Sequence, residues 1–119
     1  MNDILVLTQR SEDFFHISSI LKADYTVSHA VDIETAKSQH FQFPFDMIIA
    51  DINLLEQHSG AKNFKTQTQS FVRVNSFVKC VALCSKNETQ KGIRAVKEGA
   101  FGYLLYPVDQ KKAQLLVSS

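Results

Sequence analysis

Between Asp46 and Asn53 the chain reads D-M-I-I-A-D-I-N. Met47 to Ala50 are apolar without a polar break, and Asp51 follows directly. Such a run is too short for a helix and lacks the alternation of a half-exposed strand. It fits a strand covered on both faces, as in a parallel sheet. Open α/β sheets bind ligands outside the C-terminal ends of their strands, at the switch point in strand order. A carboxylate that closes a buried strand therefore stands where such a fold keeps its chemistry.

The remaining segments repeat this design. Ile4 to Leu7 forms a first apolar run, closed by Thr8 and Gln9. Ser11 suits an N-cap, Glu12 and Asp13 fall in a first turn that favours acids, and Phe14, Ile17 and Leu21 recur at helical spacing. A helix from about Glu12 to about Lys22 is expected. Tyr25 to His29 favours a strand. Asp32 can cap a second helix reaching about His40, and Phe43-Pro44-Phe45 then breaks the pattern. From Asn53 to about Ser76 the signal is weak: Ser59-Gly60 marks a turn, Lys65 to Ser70 is a poor helix former, and an irregular third helix is expected. Phe77 to Cys84 reads as a strand. Asn87 and Gln90 resemble a capping box, followed by Ile93, Val96 and Ala100 as an inner face and Gly99 as a C′ residue beyond Glu98. Tyr103 to Leu105 is a last short strand, ended by Pro107. Asp109 can cap a final helix through Leu115, Leu116 and Val117. Five alternations of strand and helix predict βαβ units, hence one α/β domain over residues 1–119, doubly wound around a parallel sheet.

Several function classes are disfavoured. No apolar run approaches the roughly 20 residues of a membrane span, and the start lacks a signal-peptide pattern, so a cytoplasmic setting is expected. Cys80 and Cys84 lie in one predicted strand, about 13 Å apart if extended, too far for a disulfide. His16, His29, His40 and His58 show no metal-type spacing, so no metal site is expected. There is no glycine-rich phosphate loop and no Ser-His-Asp or Cys-His constellation, so the chain is not expected to be an enzyme. Charge is uneven: residues 1–60 hold nine acids and three bases, and residues 61–119 hold three acids and ten bases. A nucleic-acid role through the basic half would bring strong salt dependence, but no recognition motif supports it.

In this order of elements the chain resembles the CheY-like receiver domain of bacterial two-component response regulators, over nearly its whole length. The resemblance rests on I-L-V-L at Ile4 to Leu7, on M-I-I-A-D with Asp51 at the phosphoacceptor position, and on K-E-G-A-F-G-Y-L-L-Y-P from Lys97 to Pro107. It implies a flavodoxin-like sheet of five parallel strands in the order 2-1-3-4-5. Tyr103 matches the aromatic that changes position on activation in that family. The pocket departs from the pattern. Thr8 and Gln9 stand where an acidic pair would hold Mg²⁺. Cys84, with Ser85 beside it, stands where a Ser or Thr would contact the phosphoryl group. Tyr106 replaces the lysine before the final proline, and Leu55 replaces the proline after the third strand.

These departures imply a degenerate pseudo-receiver. Mg²⁺ favours hard oxygen ligands and gives up water reluctantly, and phosphoryl transfer depends on neutralising charge over the transferred oxygens. With the acids and the lysine both gone, no cofactor and no efficient aspartyl-phosphate chemistry are expected. Asp51 would instead sit in a fixed polar network donated by the Thr8 hydroxyl, the Gln9 amide and the Tyr106 hydroxyl. The resemblance then implies a regulatory domain at the N-terminus of a longer chain, a transcription regulator, acting by protein contact or dimerisation. Its partner face would lie on the helix after Asn87, the last strand and the final helix, with Lys91, Arg94, Lys97, Tyr103, Lys111 and Lys112. The competing expectation is a phosphoacceptor at Asp51 with atypical use of Mg²⁺.

Overall fold

The computed structural model describes residues 3–60 and 62–119. The strands are β1 (Asp3–Leu7), β2 (Thr26–Ala30), β3 (Met47–Asp51), β4 (Lys79–Ser85) and β5 (Gly102–Tyr106). The helices are α1 (Ser11–Leu21), α2 (Ile33–Gln42), α3 (Ile52–Ser59), α4 (Phe64–Gln67), α5 (Gln69–Val74), α6 (Thr89–Lys97) and α7 (Gln110–Val117). All strand pairs are parallel, in the order β2-β1-β3-β4-β5. This is the CheY-like flavodoxin architecture.

The centre of the sheet explains the apolar run. Every residue of β3 is buried, because β1 and β4 flank it and helices cover both its faces. Alternate residues feed two cores. Leu5, Leu7, Ile48, Ala50, Ala82 and Cys84 pack with Ile33, Ala36, Leu55, Phe64, Phe71 and Ala95. Ile4, Val6, Ile49, Val81, Leu83 and Leu104 pack with Ile17, Leu21 and Ala113. So α2 to α6 lie on one face, and α1 and α7 on the other. No described helix is long and apolar enough to cross a membrane.

Several local expectations change. Ser11 begins α1, and Arg10 is its N-cap, without a side-chain capping bond. Asp32 does cap α2, accepting from the Thr35 N–H at 2.7 Å. The weak region holds three short helices. Gly60 ends α3 in the left-handed conformation (φ 65°), and Asn63 caps α4. The Thr68 hydroxyl donates back to the Phe64 carbonyl where α4 gives way to α5. Buried Phe64 and Phe71 anchor helices whose polar sequence could not hold them alone. Buried His40 joins the parts: its Nδ1 accepts from the Phe45 N–H (3.0 Å), so Nε2 carries the proton and donates to the Phe71 carbonyl (2.9 Å). The capping box before α6 is Ser85 with Glu88, not Asn87 with Gln90. The inner face of α6 is Gly92 and Ala95, while Val96 is 41% exposed. Small residues are buried there because Tyr103 fills the space against Gly92.

Candidate functional site

Asp51 ends β3 and caps α3, its Oδ1 accepting from the Asn53 N–H at 2.9 Å. It is 6% exposed. Burial raises its pKa above the usual carboxylate value, although the Asn53 N–H, Arg10 and the Leu54 N–H pull the other way. The carboxylate is thus held ionised only with help from its surroundings.

That help comes from a residue the sequence reading passed over. Arg10 follows β1 by three positions. Its N–H donates to Thr8 Oγ1 (3.1 Å), which turns the backbone. Its Nε donates to Asp13 one turn into α1. Its Cζ lies 3.4 Å from the centroid of the Tyr106 ring, and its Nη1 stands 3.5 Å from Asp51 Oδ2. Burial works against the charge, but Asp13, Tyr106 and Asp51 together raise the Arg10 pKa. The guanidinium is a cation held between the Tyr106 ring, Asp13 and Asp51.

The expected network around Asp51 is accordingly replaced. Thr8 is fully buried; its hydroxyl oxygen accepts from the Arg10 N–H, and no described hydrogen bond joins it to Asp51. Gln9 is exposed. Tyr106 contributes its ring face to Arg10. The loss of a lysine at Tyr106 therefore does not leave the pocket without a cation. The available signal was Arg10 itself with an acid three residues on, a spacing that pairs side chains on one helix face. The group facing the Asp51 carboxylate at 3.5 Å is a guanidinium, which supplies no oxygen ligand to a divalent cation.

The other side of Asp51 is closed by a second ionic cluster. Asn53 Nδ2 donates to Glu88 Oε2 (3.0 Å), and Lys91 Nζ reaches Asn53 Oδ1 (3.1 Å), Glu88 (3.4 Å) and Glu56 (3.5 Å). Glu88 also accepts from the N–H and hydroxyl of Ser85. Burial opposes ionisation of Glu88, but Asn53, Ser85 and Lys91 outweigh it and lower its pKa. Lys91 thus straps α3 to α6.

Cys84 is fully buried in the core on the α2–α6 face, and burial pushes its thiol up to about 12. The sheet register sets Cys84 beside Leu105 and Ser85 beside Tyr106. Ser85 is therefore the hydroxyl level with the end of β5, and Glu88 engages it. Tyr103 is half-buried, with its ring against Gly92. Arg94, Lys97, Lys111 and Lys112 are exposed on α6 and α7. Between β5 and α7 a groove of about 820 Å³ is lined by Tyr103, Leu105, Leu116, Lys86, Asp109 and Lys112. β4 and β5, both from the basic half of the chain, form one end of the sheet, while α5 of the same half packs on α2.

No protein-family profile and no curated protein sequence matches the chain. Solved structures do. The receiver domain of NtrX from Brucella abortus superposes with a TM-score of 0.80 at 16% identity, covering 98% of this chain and 95% of that one. The beryllofluoride-activated NtrC4 receiver domain dimer gives 0.79 at 17% identity, over 99% and 94%. A response regulator receiver domain protein from Clostridium thermocellum gives 0.78 at 19% identity, over 99% and 92%. At these identities the likeness establishes the fold.

Proposed function

We propose that this chain is a receiver-like signalling domain that works through protein contacts and not through an aspartyl-phosphate. The observation that carries the reading is Arg10. Its guanidinium, stacked on Tyr106 and facing Asp51 at 3.5 Å, takes the place of a removable charge with a covalently attached one. A switch driven by phosphorylation needs a ligand that binds one state better than the other. Here the charge that would respond is already matched by a residue of the chain. The output surface on this reading is α6, β5 and α7, which expose Arg94, Lys97, Lys111 and Lys112 and carry a groove lined by Tyr103, Leu105, Leu116, Lys86, Lys112 and Asp109. That surface suits an acidic protein partner and would regulate an effector attached to the domain, a transcription regulator in the reading drawn from the resemblance.

The test is an NMR titration with Mg²⁺, then with beryllofluoride as a phosphoryl mimic. The expected result is no saturable shift at Asp51, Ser85 or Tyr103. Saturable shifts that spread from Asp51 to Tyr103 would overturn the reading. They would establish Asp51 as a phosphoacceptor with unusual metal use, Arg10 supplying the charge that the missing acids and lysine do not.

A further inference from the structure

β5 is an end strand, paired with β4 and with no other strand. An end strand carries a row of backbone N–H and C=O groups without ladder partners. Phe101 donates its N–H to the Cys80 carbonyl (2.8 Å). Extended residues alternate in direction, so the backbone groups of Gly102, Leu104 and Tyr106 face away from β4. The other end strand, β2, has a partner for its edge. Ala30 accepts from the Thr8 N–H (3.0 Å), which turns His29 outward, and Gln39 of α2 reaches the His29 carbonyl (3.5 Å). β5 holds no charged residue and no proline, the common devices that keep an edge from pairing.

The groove between β5 and α7 runs along this edge. It meets Tyr103, Leu104 and Leu105 in succession. Successive side chains of a strand point to opposite faces. Tyr103 and Leu105 pack on the core beneath α6, and Leu104 belongs to the core beneath α7. A hollow on one face would miss every second residue; one that meets all three lies on the edge between the faces. Leu104 is 4% exposed with its side chain in the core, so what it offers the groove is backbone.

We infer that the open edge of β5 takes up an acidic, extended segment of a partner protein as a sixth strand, an inference that rests on reading this side of the chain as its output surface. Charge selects the occupant. Lys86 and Lys112 border the groove, and among the described residues neither pairs with a carboxylate. Asp109, the acid of the groove, caps α7 by accepting from the Lys112 backbone N–H (3.0 Å). A second copy pairing β5 to β5 would bring G-Y-L-L-Y, which has no acid to meet these lysines. A segment that alternates acidic and apolar residues meets both the cations and Leu116. Its backbone supplies the affinity and its alternate side chains the selectivity.

The test titrates the isotope-labelled chain with a capped peptide of about seven alternating glutamates and valines, long enough to overhang the roughly 17 Å of a five-residue strand. The expected result is saturable NMR shifts along β5, with slowed hydrogen exchange at the N–H groups of Gly102, Leu104 and Tyr106. Lysine in place of glutamate in the peptide, or Lys86→Glu with Lys112→Glu in the chain, should weaken binding at least about 10-fold. Both lysines are exposed, so the double variant should keep the melting of the parent. N-methylation of the peptide at its glutamates or at its valines strips the donors from one edge of the added strand or from the other, and one of the two should weaken binding as much. No saturable shift at millimolar peptide, equal binding by the parent and both methylated peptides, or equal binding by the lysine peptide would each overturn the inference. These measurements read β5 whether or not Asp51 answers beryllofluoride, so this inference and the reading of Asp51 fail separately.

Discussion

Replacing Arg10 by alanine removes three contacts at once. The stack on Tyr106, at 3.4 Å to the ring centroid, is worth about 0.5–1 kcal/mol at a partly exposed site. The pair with Asp13 is a charge-assisted hydrogen bond, worth about 1.5–3 kcal/mol when dry. The Arg10 side chain is 33% exposed, so solvent screening brings that pair to about 1 kcal/mol. The 3.5 Å approach to Asp51 is too long for a good hydrogen bond and acts through charge, at about 0.5–1 kcal/mol. Arg10→Ala should therefore destabilise the domain by about 2–3 kcal/mol, a fall of roughly 10 °C in melting temperature. Asp51→Asn separates the parts. Asparagine keeps the acceptor for the Asn53 N–H, so alone it should be nearly neutral. In the Arg10→Ala background it relieves a buried charge that has lost its counter-ion, and should recover about 1 kcal/mol.

The pH dependence supplies an independent check on the same pair. A carboxyl whose folded pKa is raised above its unfolded value of 3.8 adds stability at low pH and loses it as pH rises through the folded pKa. Removing Arg10 takes away one influence that holds this pKa down. The gap between Arg10→Ala and the parent should thus widen from acid toward neutral pH. Thermal and urea melts of the four chains measure all of this. If Arg10→Ala melts with the parent, or the two substitutions are additive, Arg10 does not neutralise Asp51.

Three other outcomes follow from the packing. His40→Ala should cost about 2–4 kcal/mol in urea melts, since it opens a cavity and strands the Phe45 N–H; in the parent, burial holds the His40 pKa below 6.5, so stability should decline as the pH falls from 6.5 through the folded value. Gly92→Ala places a Cβ 2.7 Å from Tyr103 Cδ2, and the overpacking, about 1–3 kcal/mol, should outweigh the helix gain of under about 1 kcal/mol; shifted Tyr103 ring resonances, and suppression of the loss in a Tyr103→Leu background, check it. Cys80 and Cys84, with thiols pushed up to about 12 by burial, should stay unreactive toward a disulfide reagent until the chain is unfolded.

The architecture was legible because its signals are local. An unbroken apolar run means a strand buried on both faces, and β3 is one; Asp32 and Asp109 cap helices where a short acceptor precedes an apolar pattern. The same reasoning missed the capping box at Ser85 because two overlapping candidates, S-K-N-E and N-E-T-Q, compete within six residues. Only the Ser85 backbone at the end of β4 decides between them. It missed the inner face of α6 because apolarity pointed to Ile93 and Val96, whereas the buried residues are Gly92 and Ala95, and Tyr103 leaves no room for a side chain at Gly92. The helices after Asn53 were illegible because Phe64 and Phe71 hold them through a core assembled from the rest of the chain.

The site was harder to read than the fold, and Arg10 shows why. Residues were assigned to the pocket by position: Thr8 and Gln9 directly after β1, Tyr106 directly before Pro107. Position after a strand fixes where a backbone is, but not which side chain turns inward. Thr8 Oγ1 accepts from the backbone of Arg10, and that turn brings a long side chain back over the sheet. Arginine can do this because its planar group stacks on a ring with its face while pairing with acids at its edge. Tyr106, read as the loss of a cation, is the platform on which a different cation rests. Neither residue identifies the arrangement alone. Lysine at position 10 would provide the charge without the stack, so Arg10→Lys should recover only part of the stability lost in Arg10→Ala, and Tyr106→Leu should weaken the Arg10–Asp51 coupling although Tyr106 makes no ion pair with either.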